Sequence, residues 1–201
     1  VLINAVLVRA DLSGSSLEGA ILDGANLNDA VLVGADLTGA DLDGVTLVGA
    51  DLNDAVLVGV DLTGARSWGV SLVGVDLRGA DLRLIDWSGL DISGAHLSKA
   101  ELTGAILAGT RLVGADLRGA SLVGANLAGS DLTGSDLREA DLSSANLVDA
   151  ILVDAVVTGA SMVGALMLRS DPVLEPVYLK DAIVSAYELR TALVLPESLE
   201  G

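Results

Sequence analysis

Apolar and polar positions recur along this chain with a period of five. In Ala115 to Gly134, ADLRG ASLVG ANLAG SDLTG, each unit runs small residue, variable residue, Leu, variable residue, Gly. The register holds from Leu2 to Met167 without insertion, and the central position is Leu everywhere except at Ser67, Trp87, Ile92, Val157, Met162 and Met167. Two residues before each centre the chain mostly carries Ala, and apart from Gly201 every Gly falls two residues after a centre. Five fits neither the period of a helix nor that of a lone strand, so the chain reads as a repeat architecture. If the central Leu and the small residue two before it point inward, as alternate residues of an extended segment do, the other three positions face solvent. Each unit must then bend. The Gly stands where a type II turn needs positive φ, and one unit becomes one side of a coil. Where Asn4, Arg9, Asp29, Asp54, Leu84, Lys99, Glu139, Ser144, Asp149, Asp154 or Arg169 replaces Gly, a departure to type I or irregular turns is expected, because a Cβ disfavours positive φ.

These residues resemble the pentapeptide-repeat proteins, whose A(D/N)LxG unit appears here as ADLTG, ANLND, ADLRG and ANLAG between Val1 and about Leu168. The resemblance implies an all-β solenoid, a right-handed quadrilateral β-helix of four units per coil. Residues twenty apart would stack, and about eight coils would lie ~4.8 Å apart. The expected organisation is a β-helix over 1–168 and a separate segment over 169–201.

After Leu168 the period stops, and Pro172, Pro176, Pro196, Tyr178 and Tyr187 follow. The stretch Pro176 to about Leu195 predicts a C-terminal α-helix with a stripe through Leu179, Ile183, Ala186, Arg190 and Leu193; Pro suits a first helical turn and Pro196 ends the pattern. The last coils turn apolar outside, through Ile151, Val153, Val156, Leu166 and Leu168. A solenoid end exposes unpaired backbone and Leu columns. The helix is therefore expected to cap that end or to form a homodimer through it.

Composition narrows the function. The chain has 201 residues, 51% of them hydrophobic, but no Phe, so burial must come from stacked Leu at about 1.5–3 kcal/mol per side chain. A net charge of −17 argues against direct binding to nucleic acid or an anionic membrane. Cys is absent, which excludes disulfides and thiolate chemistry. No apolar run approaches a membrane span. The chain opens at Val1 already in register, an upstream segment is expected, and the bacterial cytoplasm is the expected compartment.

Two places break the pattern. Ser67 occupies a Leu position with Trp68 outward beside it, and twenty residues later Trp87 occupies a Leu position on the same side. The two anomalies should touch, the small Ser making room for the large indole. Arg66 and Trp68, with the segment from Arg83 to Ile92, also form a candidate docking patch, since exposed Trp and Arg anchor interfaces. The second break is electrostatic. One side collects Asp41, Asp61, Asp81 and Glu101, with Asp23 and Asp43 adjacent and Asp141 further on, offset only by Arg83. Another side balances Asp76, Asp116 and Asp136 with Arg78, Arg118 and Arg138, and on a third Arg111 falls between Asp91 and Asp131. The internal copy Ala30–Asp54 and Ala55–Gly79 is offset by five units rather than four, so no one face repeats its chemistry.

Catalysis finds little support, because an acid-base or nucleophilic site needs converging unlike groups, and the single His, His96, lies outward between Asp76 and Asp116. No phosphate-binding Gly loop or calcium loop occurs, and no cofactor or metal is expected. The resemblance implies a protein-binding module, since some family members mimic B-form DNA, bind DNA gyrase or topoisomerase IV and protect them from inhibitors. In that case the acidic side of Asp23, Asp41, Asp43, Asp61, Asp81 and Glu101 would meet the partner. Against this, those members are commonly rich in Phe-centred units and Cys. The alternative is a structural or interaction domain with no topoisomerase role.

Overall fold

A computed structural model describes residues 1–167. The expected C-terminal helix, the boundary at 168/169, and Leu179, Ile183, Ala186 and Leu193 lie outside the described residues.

The five-residue register becomes a solenoid of four units per coil. Each unit contributes one residue to a parallel bridge with the residue twenty later, as in Val6 to Asn26, Asn26 to Thr46, and finally Asn146 to Leu166. Four backbone bonds repeat. The central N–H and the corner N–H donate to the next coil, as Leu27 to Thr46 and Asp29 to Val48, both 2.8 Å; the outward N–H donates back to the preceding coil, as Asn26 to Ala5 at 2.9 Å; and Ala30 N–H closes the turn on the Leu27 carbonyl at 3.0 Å. Backbone polar groups are thus satisfied without wide strands, which lets a segment this short stay extended between corners.

Inside, the small-residue and central positions are buried from Leu22 onward except at Ala65, Leu90 and Met167, which like Leu2, Leu7, Leu12 and Leu17 in the end coil are only partly covered. The columns fill the interior alternately with Ala and Leu, so neighbouring coils interlock at close-packed density. We label the four sides by their first central residues: side one from Leu2, side two from Leu7, side three from Leu12 and side four from Leu17.

The expectation that non-Gly corners leave positive φ is corrected. Asn4, Arg9, Asp29, Asp54, Leu84, Lys99, Glu139, Ser144, Asp149 and Asp154 all hold φ between 54° and 61°, alongside the Gly corners; Arg169 lies outside the described residues. The stacking overrides local preference. A corner N–H must reach the carbonyl nineteen residues on, as Asn4 does to Asp23 at 2.7 Å and Lys99 to Arg118 at 2.9 Å. Abandoning that geometry would orphan a backbone donor and misdirect the next side, which outweighs the roughly 1–2 kcal/mol of left-handed conformation.

The ladder is interrupted at three pairs among the described residues, Asp41/Asp61, Arg66/Asp86 and Ser71/Asp91. The break falls where the interior is overfilled. Val60, Val70, Val75, Ile85 and Leu90 replace Ala in the small column here, and Trp87 replaces Leu. Turn bonds lengthen accordingly, to 3.4 Å at Val60 and 3.3 Å at Val70 and Val75.

Candidate functional site

The outward residue before each central Leu does structural work that its exposure conceals. Asp61 Oδ1 accepts the Thr63 backbone N–H at 2.8 Å and the Thr63 hydroxyl at 2.7 Å. The same bond recurs at Asp11, Asp36, Asp91 and Asp131, and in Asn form at Asn26, Asn126 and Asn146. A side-chain oxygen here satisfies a turn donor that the ladder does not reach, the short-range pattern Asp and Asn favour. This explains why Asp or Asn occupies the position. The sequence signal was available in the D/N preference itself, but it reads as solvation until the turn geometry is known.

On side one, Asp61 bridges to Asp81 and Asp81 to Glu101, so these three carboxylates stack in register. Asp41 lies one coil earlier, and its bridge to Asp61 is missing. Asp41 Oδ1 accepts the Asp43 N–H at 3.3 Å, while Asp41, Asp43, Asp61 and Glu101 are exposed and Asp23 half-buried. Arg83 divides the side in two. Its Nη2 meets Asp81 at 2.5 Å and its Nε donates to the same carboxylate, holding the Asp81 carboxyl below its ordinary range against the opposing effect of burial. Asp81 first, and more weakly the Asp61 and Glu101 charges, hold the Arg83 guanidinium in its protonated form. Asp23, Asp41 and Asp43 form no ion pair among the described residues, so the least neutralised part of the side is its early half.

Side four behaves differently. Arg118 pairs with Asp116 at 2.7 Å and approaches Asp136 at 3.7 Å, Arg138 pairs with Asp136 at 2.5 Å, and Arg78 pairs with Asp76 at 2.6 Å. His96 is exposed and bridges Asp76 and Asp116 through its backbone. A groove of about 420 Å³ runs along this edge, lined by Ser98, Lys99, Arg118, Gly119, Arg138 and Glu139. Its lining sets Lys99, Arg118 and Arg138 against Glu139, and the two guanidiniums are already paired with Asp116 and Asp136. On side three Arg111 reaches Asp91 at 3.3 Å.

Side two carries little charge, and its outward positions include Arg66 and Asp86 with Val8, Val48, Trp68 and Ile106. Trp68 is 75% exposed. It lines a depression of about 280 Å³ with Gly69, Asp86, Ser88 and Leu90, so the segment from Arg83 to Ile92 does meet Trp68. Arg66 is exposed on the same side but does not line the depression. Beneath it, Ser67 and Trp87 touch as expected: both are buried, and the indole Nε1–H donates to Ser67 Oγ at 2.9 Å. Thr110, buried below, donates its hydroxyl to the Trp87 carbonyl at 2.9 Å. Size alone had suggested the pairing; the hydrogen bond adds a reason for Ser rather than Ala.

No cluster of three or more His, Cys, Asp and Glu able to hold a metal occurs among the described residues. No helix among them is long and apolar enough to cross a membrane.

The family model described as pentapeptide repeats matches residues 1–29, 30–66, 71–109, 110–149 and 120–159. Among solved structures, the chain is similar to HetL, a pentapeptide repeat protein involved in heterocyst differentiation regulation from the cyanobacterium Nostoc, at 33% identity over 82% of this chain and 84% of that one, with a TM-score of 0.51. It is also similar to QnrB1, a plasmid-mediated fluoroquinolone resistance protein, at 17% identity over 89% and 91%, with a TM-score of 0.49. A pentapeptide repeat protein of the Arabidopsis thaliana thylakoid lumen matches at 32% identity over 52% and 61%, with a TM-score of 0.35. No curated protein matches the chain.

Proposed function

We propose that this chain, which belongs to the pentapeptide-repeat family, is a non-catalytic protein-binding module whose side one offers carboxylates to a basic surface. The observation that carries this reading is the unequal distribution of charge around the rod. Side one presents Asp23, Asp41, Asp43, Asp61, Asp81, Glu101 and Asp141 against Arg83 alone; side three follows with six Asp against Arg111, whereas side four offsets most of its acids with Arg78, Lys99, Arg118 and Arg138. A row of carboxylates at coil spacing can stand in for phosphates before a basic channel, and such recognition speeds association more than it deepens affinity. The partner we propose is a type II topoisomerase of the bacterial cytoplasm, DNA gyrase or topoisomerase IV, protected from inhibitors by occupancy of its DNA-binding channel. The segment with Leu179, Ile183, Ala186 and Leu193 is proposed to cap the rod or pair two copies.

The test is direct binding of purified gyrase across a salt series. Retention that weakens steeply with ionic strength supports the reading, and no retention at low salt removes it. A second reading, an interaction domain with no topoisomerase role, is favoured by one observation, the exposed Trp68 over its depression on the charge-poor side. A partner lost on Trp68→Ala but insensitive to salt would select it.

A further inference from the structure

The ladder opens at two places among the described residues: on side one between the coils of residues 40–59 and 60–79, where the amides of Leu42, Gly44 and Asp61 have no backbone acceptor, and over a wider arc between the coils of residues 60–79 and 80–99. At this second interface side two is open and side three partly so. On side two the amides of Ser67, Gly69 and Asp86, and on side three those of Leu72 and Asp91, have no backbone acceptor among the described residues, while the side three corner Gly74 N–H still donates to the Ser93 carbonyl at 2.9 Å. One coil later the equivalent amides are all bonded: Trp87 to Ile106, Gly89 to Ala108 and Ile92 to Arg111 at 2.9 Å, and Ile106 to Ile85 and Arg111 to Leu90 at 2.8 Å. On the other two sides of the same interface the bridges hold, Asp61 with Asp81 and Asp76 with His96, although the Gly64 corner amide on side one has no backbone acceptor among the described residues.

The cause is packing. Trp87 stands in the central column between Ser67 and Leu107, and its indole reaches back to Ser67 rather than lying flat in a Leu slot. Bulky residues at Val70, Ile85 and Leu90 enlarge the small column on the same two sides. An interior that cannot be compressed transmits the excess to the soft coordinate, the spacing of neighbouring coils.

We propose that this interface is a hinge in the rod. It opens on sides two and three about the bridged edge formed by sides four and one, with Trp87 as the wedge. Opening breaks no ladder bond on side two and only the Gly74–Ser93 bond on side three, because the other amides there already lack backbone acceptors. The bend leaves sides one and four concave. If the acidic side is the recognition surface proposed above, the hinge lets the Asp61–Asp81–Glu101 stack follow a convex basic partner. The test uses the free protein, so its failure would leave that recognition untouched.

Residue-resolved amide hydrogen exchange on the full chain reads the hinge. Amides of Ser67, Gly69, Leu72, Asp86 and Asp91 are expected to exchange at least ~10-fold faster than those of Trp87, Gly89, Ile92, Ile106 and Arg111, because local opening needs less free energy where fewer bonds break. The paired substitutions Ser67→Leu and Trp87→Leu restore the repeat residue in both coils and should slow the five amides toward their neighbours. Uniform protection of both sets in the unaltered chain would overturn the proposal. So would fast exchange that persists in a folded double variant, since the wedge would then not be its cause.

Discussion

Trp87 Nε1 donates a hydrogen bond to Ser67 Oγ at 2.9 Å across two coils, with both residues buried. The pair exchanges the usual Leu-on-Leu contact for one large and one small side chain plus a polar bond. Ser67→Leu restores the repeat residue yet fills the space the indole occupies, so it should destabilise by about 1–3 kcal/mol through overpacking. Ser67→Ala keeps the space but orphans the indole N–H, which costs about 1–3 kcal/mol. Denaturant unfolding measures both, and a neutral Ser67→Leu would refute the packing account.

Corner side chains impose a second rule. The Asp29 carboxylate folds over Gly49, where a Cβ would lie 2.5 Å from Asp29 Oδ1; Asn4 over Gly24 and Asp54 over Gly74 repeat the arrangement. Gly49→Ala should therefore cost the roughly 1–2 kcal/mol of left-handed backbone plus only the small cost of turning the exposed Asp29 carboxylate aside. Gly34→Ala, at similar φ but with nothing within 4 Å, should cost the backbone part alone. A double-mutant cycle with Asp29→Gly isolates the clash, and additivity would show that the two corners do not interact.

These two cases mark what the sequence made legible. The register of Leu27 with Leu7 and Leu47 follows from counting by fives, because one turn chemistry repeated without slippage leaves one way to stack. The meeting of Ser67 with Trp87 follows from the same count. The corners at Leu84 and Lys99 were misjudged because single-residue preference was weighed without the ladder bond that stacking adds. The role of Asp61 and its equivalents as acceptors for the turn N–H was missed, since a polar outward residue looks like solvation alone. The opening at Arg66/Asp86 was out of reach of counting, because it results from volume summed over several residues in adjacent coils.

Acid should act on side four with a definite sign. The Arg118 guanidinium, hydrogen-bonded to Asp116, holds that carboxyl below its ordinary 3.8 against a smaller opposing effect of burial, and Arg138 does the same for Asp136. A carboxyl with a depressed folded value stabilises the fold above its unfolded value and loses that contribution as pH falls through the folded one. The melting temperature should therefore decline below about pH 3.8, and Arg118→Gln with Arg138→Gln should reduce that decline while lowering stability slightly at pH 7. Melts across pH 2–7 read both effects. An unchanged acid slope in the variant would place the acid sensitivity elsewhere.

Charge and fold oppose each other on the early half of side one. Asp41 and Asp61 face one another across a coil boundary without a bridge, and neither is ion-paired, whereas Asp61 and Asp81 remain bridged with Arg83 beside them. Like charges opposite one another destabilise a sheet pair, so at the Asp41/Asp61 boundary unrelieved repulsion adds to the crowding from Val60, while Arg83 relieves it at the Asp61/Asp81 boundary. Asn at these positions keeps the oxygen that accepts the turn N–H, as Asn26 and Asn146 do, so Asp41→Asn with Asp61→Asn removes charge and spares the turn. The double variant should gain roughly a few tenths of a kcal/mol, most clearly at low salt. It should also associate more slowly with a basic partner and with a flatter salt dependence, because the long-range attraction has been reduced. Asp116→Asn on the balanced side is the control and should leave association unchanged. Melting curves together with association rates at two ionic strengths decide the matter: equal rates for the double variant and the unaltered chain would mean that side one only solvates the rod.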